Sequence, residues 1–332
     1  MTKYSNVKNA HIVPRTYLQN WAIDDKIDVW LVPEGKRLPD QPVENVGTRR
    51  RFYRRRRPAS REEIDDVEAM LGEGEHKATP LLRSFADRWP LPSEEKIQLA
   101  ELFGYQLLRG PRWKAEYEER TQRFVDEYDR SSMSDLHREE IEKQNKTLMS
   151  DSYRLVSMFT TALTAASVLG SMHWTLVEFS HPIIATSDHP VVLWPGIDSS
   201  APRAVEVAEV GIMQCLEIRL ALSPQHCVLM TWSDKADEEG TRLEGRRDHA
   251  ANVNAFVVAN ADRHWFHLPG RPPPRASGRL LPLSVQIVEG YTPAAAAESR
   301  RRESAARIVE KWIGTRELTD REIEIVTMTR QP

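Results

Sequence analysis

Apolar residues recur along the chain at two different periods, and the change from one to the other divides it. In "HIVPRTYLQNWA" the spacing of Tyr17, Leu18 and Trp21 predicts a short helix with Pro14 at its first position, where the missing N–H costs nothing. "KIDVWLV" then alternates, with Ile27, Val29 and Leu31 on one side, and stops at Pro33-Glu34-Gly35, a turn signal that predicts a β-hairpin over residues 26–46. Ser60 and Glu63 make a capping box for a helix bearing Ile64, Val67 and Leu71, and Pro80 is expected to interrupt the helical pattern before Leu81, Leu82 and Phe85. Ser93, followed by Glu94 and Glu95, opens a further helix. Its Ile97, Leu99, Ala100, Leu102, Phe103, Tyr105, Leu107 and Leu108 are expected to be mostly buried, and Gly110-Pro111 ends it. From Arg112 to Lys146 the helical pattern is densely charged with both signs, which predicts a solvated helix or helical hairpin.

From Leu155 to Val177 there is no Asp, Glu, Lys or Arg for 23 residues. That length would span a bilayer, but four threonines, three serines and His173 argue for a buried core helix instead. After it the pattern shortens to "HWTLVEF", "PIIATS", "PVVLW", "CLEIRLALS" and "HCVLMTW", runs whose length and boundaries predict strands. A helix over 248–260, a strand at "HWFHL", a proline-rich loop at 272–274 and a helix over 294–312 complete the expectation. The fold class is α+β, with a helical N-terminal half packed on a β-rich C-terminal half around a single shared core. Three regions follow: 1–60 with the first helix, the hairpin and an arginine-rich loop, 61–172 helical, and 173–332 β-rich with a C-terminal helix.

Composition narrows the class. The 332 residues are 40% hydrophobic, enough to bury a real core, and two cysteines are too few for a disulfide framework. With no apolar leader at the N-terminus, the expectation is a cytoplasmic protein with no membrane association. The net charge of −3 conceals a gradient: residues 1–60 hold 13 Lys and Arg against 6 Asp and Glu, whereas residues 61–150 hold 14 against 21.

Three segments in order carry a resemblance: the opening "HIVPRTYLQNWA", then "SDHPV" at Ser187–Val191, then "LALSPQHCV" followed by "NVNAFVVANADRHW". Together they resemble the bacterial group called domain of unknown function 4238. That group is marked by a His-x-Val-Pro start, a glutamate-bearing helix, a helix ending in Gln-x-x-x-Arg-x-Pro-like residues, and Ser-Asp-x-Pro. "EGEHKATPLL" and "YQLLRGPR" are the matching middle pieces, and the resemblance spans residues 9–268. The group has no established activity, so the resemblance selects residues and assigns no reaction.

Those residues are His11, Glu75, Arg109 and Asp188, the candidate catalytic set. His11 precedes a proline-started helix, where an imidazole can be a general base, a metal ligand or a pin for the N-terminus. Asp188 with His189 leaves a strand in a turn, and either closes an Asx-turn on backbone N–H groups or joins His11 as a metal ligand. Glu68 and Glu75 are seven residues apart and share a helix face unless Gly72 and Gly74 break it. Arg109 ends a buried helix, where its charge either caps carbonyls or clamps a phosphate or carboxylate. No P-loop, dinucleotide fingerprint, zincin motif or nucleophile elbow is present.

The densest charge lies in "RRRFYRRRR". Arg49, Arg50, Arg51, Arg54, Arg55, Arg56 and Arg57 surround Phe52 and Tyr53, the composition of a single-stranded nucleic-acid binder. The same arginines would also suit a seam against the acidic helices of 61–150. Two functions remain open. One is a metal-dependent hydrolase or nuclease acting on a phosphate-containing substrate, with a divalent cofactor (Mg, Mn or Zn) held by His11 and Asp188. The other is a non-catalytic nucleic-acid-binding or effector protein that uses the arginines.

Overall fold

In a computed structural model of the chain, the described residues are 9–50, 52–53, 66–126, 135–194, 212, 215–232, 240–276 and 283–287. Strand β1 (Asn9–His11) leads to Pro14, whose extended backbone at ψ 132° makes it the cap before helix α1 (Arg15–Leu18) rather than its first residue. A 3-10 turn follows, and Tyr17, Leu18 and Trp21 are all buried, as their spacing implies. β2 (Lys26–Leu31) and β3 (Lys36–Pro42) form the antiparallel hairpin, with Gly35 at φ 60° in its turn. The alternation in β2 is broken at Asp28. That carboxylate is buried because Arg37 Nη2 at 2.6 Å and the N–H groups of Asp40 and Gly270, each at 3.0 Å, all donate to it. The short β4 (Thr48–Arg50) returns to pair with β1.

The helical region holds α2 (Asp66–Ser84), α3 (Ser93–Leu108), α4 (Pro111–Asp126), α5 (Asp135–Leu148) and α6 (Asp151–Ser171). The Ser60 capping box lies outside the described residues. Pro80 does not interrupt α2, which runs through it to Ser84. A proline within a helix costs about 3 kcal/mol, but Ala78, Leu81 and Leu82 on either side of it are buried, and each large apolar side chain contributes about 1.5–3 kcal/mol. α3 buries Leu99, Phe103, Leu107 and Leu108, whereas Ile97, in its first two turns, is exposed, contrary to expectation. The uncharged stretch divides: α6 ends at Ser171, and from His173 the chain is a strand. α3 and α6 touch backbone to backbone at Gly104, where a Cβ would come within 2.9 Å of Ala166 N. Among the described residues no helix is long and apolar enough to cross a membrane.

The rest of the chain supplies β5 (His173–Phe179), β6 (Thr186–Ser187), β7 (Val191–Trp194), β8 (Glu217–Ser223), β9 (His226–Thr231), β10 (Arg242–Gly245), α7 (Arg247–Asn260), β11 (His264–His267) and α8 (Leu283–Ile287). The expected helix over 294–312 lies outside the described residues. One sheet has the order β10-β5-β9-β8-β7, antiparallel except for the parallel β10-β5 edge. A second has the order β3-β2-β11-β6, so two strands from the C-terminal half extend the N-terminal hairpin. The architecture is α+β. A single large apolar core, including Trp21, Leu107, Leu169, Trp174 and Phe266, joins the helices to both sheets, and a small satellite lies around Trp194 and Phe256.

Candidate functional site

The last turn of α3 grips the opening strand. Gln106 Nε2 donates to Ile12 O at 2.9 Å, and Arg109 Nη2 donates to His11 O. The strand is held from its other side by β4, which pairs His11 with Thr48 and Ala10 with Arg49. Beyond β1, Ile12 N and Val13 N donate to Gly47 O at 2.8 and 3.2 Å, and Gly47 sits at φ +62° with Leu18 2.9 Å from where its Cβ would be.

Arg109 is the hub. Only 1% exposed, its guanidinium pairs with Glu75 Oε1 at 2.5 Å through Nη1 and donates from Nε to the Tyr53 hydroxyl at 3.2 Å. That hydroxyl donates in turn to Arg109 O at 3.1 Å. Burial works against the charge, but Tyr53 and Glu75 more than offset it and hold the guanidinium protonated. Every arm of Arg109 is therefore used inside the protein, and it acts as an internal tie between α2, α3 and β1. The helix partner is Glu75; the side chain of Glu68 lies outside the described residues, and Glu73 is spent on an exposed pair with Lys77.

His11 is half-buried beside this pair. Burial, opposed by Glu75 and reinforced by Arg109 and Arg15, holds its imidazole below the usual pKa, so the ring is neutral at neutral pH. Its Nε2 is buried and has no hydrogen-bond partner among the described residues. An unpaired buried ring nitrogen is costly unless something else binds there.

Asp188 is placed differently. Its carboxylate accepts the N–H groups of Asp262 and Arg263, both at 2.8 Å, and of His264 at 3.0 Å, so it organises the distant loop between α7 and β11, whereas its own turn is closed by Ser187 and not by an Asx-turn. Burial pushes its pKa up to about 6 against the pull of those three donors. Among the described residues neither oxygen forms a hydrogen bond or ion pair with His11. Among the described residues no group of three or more His, Cys, Asp or Glu is placed to hold a metal ion.

His189, next in the chain, faces the end of α3. Gly110 makes room for it: a Cβ there would lie 2.7 Å from His189 Cε1. Burial, with the charges of Arg112 and Arg49, lowers the His189 pKa to about 3, so it too is neutral. Arg112 reaches across to Asn260, donating to Oδ1 at 3.1 Å and to the backbone O at 3.2 Å, and Asn260 Nδ2 donates to His189 O at 3.1 Å. Arg49 Nη2 lies 3.6 Å from Asp262 Oδ2. Sequence reasoning treated His189 only as the companion of Asp188 and missed Gln106, Arg112 and Asn260. All four lie in the quoted segments "YQLLRGPR", "SDHPV" and "NVNAFVVANADRHW", and the convergence of those segments is a tertiary fact.

Of the arginine run, Arg49, Arg50, Phe52 and Tyr53 are described, and Arg51 and Arg54 to Arg57 lie outside the described residues. Arg50 is exposed, and Arg49 turns inward to Asp262. Tyr53 is not a stacking platform, because it is buried with its hydroxyl committed to Arg109. Phe52 is half-buried, edge-on to Tyr53 at 4.9 Å and beneath Lys114 Nζ at 5.7 Å.

A family model described as "Protein of unknown function (DUF4238)" matches residues 9–270, which include every residue of this site. No curated protein and no solved structure matches the chain.

Proposed function

The chain belongs to this family, and from that premise we propose that it hydrolyses a phosphate-bearing substrate, with His11 as the acid–base group. The observation that carries the reading is His11 Nε2, a buried nitrogen with no hydrogen-bond partner among the described residues, on an imidazole that burial keeps neutral. A neutral imidazole can take the proton of a water that attacks phosphorus while the ester oxygen leaves and is protonated by solvent. Glu75, fixed by Arg109, stabilises the imidazolium that forms. Asp188 is assigned to holding the loop that carries Asp262 and His264, and any divalent metal would need ligands other than its carboxylate.

The test is turnover of single-stranded RNA, single-stranded DNA and a nitrophenyl phosphodiester, each with Mg²⁺, Mn²⁺, Zn²⁺ or a chelator. Cleavage that falls by about 10²-fold or more in His11→Ala supports the reading. No turnover under any of these conditions, or turnover that is indifferent to His11→Ala, defeats it.

A second reading, non-catalytic binding of nucleic acid, is favoured by Arg50, exposed on β4 at the head of the arginine run. It expects binding without cleavage and a salt dependence of about −0.7 per phosphate contact on a single strand.

A further inference from the structure

α6 buries one face against α3, where Gly104 lets the two backbones meet, and leaves much of the opposite face exposed. Along that face run Tyr153, Val156, Thr160, Leu163 and the half-exposed Ser167 and Gly170, spaced 3-4-3-4-3, the interval of a coiled-coil seam. Val156 is 58% exposed, Leu163 43% and Tyr153 41%, and the helix carries no Asp, Glu, Lys or Arg from Leu155 to its end at Ser171. Thr161 and Thr164 are exposed beside the seam, and Phe124 of α4, itself exposed, shares a groove with Tyr153 and Thr161. Together these side chains leave on the order of 700 Å² of uncharged surface open, close to one partner's share of a standard interface and more than a monomer usually exposes in one patch.

The seam itself selects what covers it. A partner recognised by opposite charge finds none here, and for the same reason two copies of the face meet without repulsion. Laid antiparallel, the seam fits itself. The register that sets a positions against d positions pairs Tyr153 with Gly170, Val156 with Ser167 and Thr160 with Leu163 of the second copy, so each large side chain meets a smaller one. The same register overlays α6 on nearly its whole length, because Tyr153 and Gly170 lie close to its two ends. A parallel pairing would stack Tyr153 on Tyr153 and Gly170 on Gly170, crowding one end and leaving the other unpacked, and would set the two helix dipoles side by side in the same direction.

We propose that the chain forms a two-fold dimer through this face of α6, the two copies of the helix running antiparallel with Thr160 and Leu163 at the axis. The contact is isologous, so it closes on itself and buries the patch completely in a pair. No residue of the seam belongs to the His11 site, and the inference stands or falls apart from the reaction proposed above.

The experiment is the molar mass of the full-length chain by sedimentation equilibrium across the micromolar range, where a dimer is expected. Val156→Glu puts an unpaired carboxylate in the seam and should raise the dimer Kd about tenfold or more, and Leu163→Lys should do the same from the next layer. Ser167→Lys alone should weaken the dimer too. In the double variant Val156→Glu/Ser167→Lys the carboxylate of each copy faces the ammonium of the other, whereas within one helix the two positions are about three turns apart. Dimerisation should therefore recover at low ionic strength and weaken again with added salt. Val156 and Leu163 are exposed in the single chain, so their variants should keep the parent's far-ultraviolet circular dichroism. A monomer throughout the range overturns the inference, and so does a dimer that Val156→Glu and Leu163→Lys leave unchanged. A dimer that both weaken and the double variant does not restore overturns it as well, because the copies then do not meet in the antiparallel register.

Discussion

Replacing His189 with glutamine should change how stability depends on pH more than it changes stability at pH 7. In the folded protein His189 titrates at about 3, against an ordinary value of 6.5. Between those values the unfolded chain binds a proton that the native state refuses, so the His189 contribution is fully present above pH 6.5 and is lost as pH falls. At about 1.4 kcal/mol per unit, going from pH 7 to pH 5 should cost the native state about 2 kcal/mol through this group alone. Asp188 opposes it. Its folded pKa is raised from 3.8 to about 6, so the native state binds the extra proton there and gains about 1 kcal/mol over the same interval. Asp188 therefore offsets only about half of the His189 loss in the wild type. Glutamine keeps the backbone bonds of residue 189 to Ser187 and Asn260 but cannot titrate. Urea unfolding at pH 5, 6 and 7 measures the outcome, with the slope against denaturant checked for constancy. His189→Gln should become relatively more stable than the wild type on acidification, by about 2 kcal/mol between pH 7 and pH 5. Parallel pH profiles for the two proteins would refute the burial-driven shift and, with it, the claim that His189 is neutral.

Arg109→Leu should cost about 3–5 kcal/mol in the same unfolding assay, because it leaves the Glu75 carboxylate without its partner and removes the donors to His11 O and the Tyr53 hydroxyl. The double variant with Glu75→Leu should recover part of that loss, and strict additivity would mean the pair is uncoupled. Glu217 is fully buried, pairs with Arg219 at 2.5 Å and accepts the N–H groups of Leu283 and Ser284 at 2.9 and 2.7 Å. Glu217→Gln should accordingly loosen α8, read as faster proteolytic cleavage near residues 283–287 at native conditions; an unchanged cleavage rate there would show that the apolar contact of Leu283 suffices.

Local chemistry made much of this protein legible. Tyr17, Leu18 and Trp21 are all buried, the Pro33-Glu34-Gly35 turn closes the hairpin, and "HWTLVEF", "EIRLALS" and "HCVLMT" are strands because their β-branched and apolar runs suit a sheet covered on both sides. Reading failed where a local rule met a larger tertiary term. Pro80 is carried inside α2 by the buried apolar residues around it, Ile97 is exposed despite its helical apolar spacing, and Asp28 occupies a strand's buried side because Arg37 and two backbone N–H groups close around it.

The candidate site divides the same way. The sequence alone determined which side chains were worth examining, since His11, Glu75, Arg109 and Asp188 stand in segments whose residue types suggest chemistry. It also determined the helix that ends at Arg109, because helix termination acts over a few residues. Only the tertiary structure decided what those side chains do. Whether Arg109 meets a ligand or Glu75, whether Asp188 holds a metal or three amides, and whether His189 and Gln106 share a cavity depend on segments far apart in the chain. The energies that settle such choices, desolvation and charge pairing, depend on what surrounds a group in space. No local window of sequence contains that.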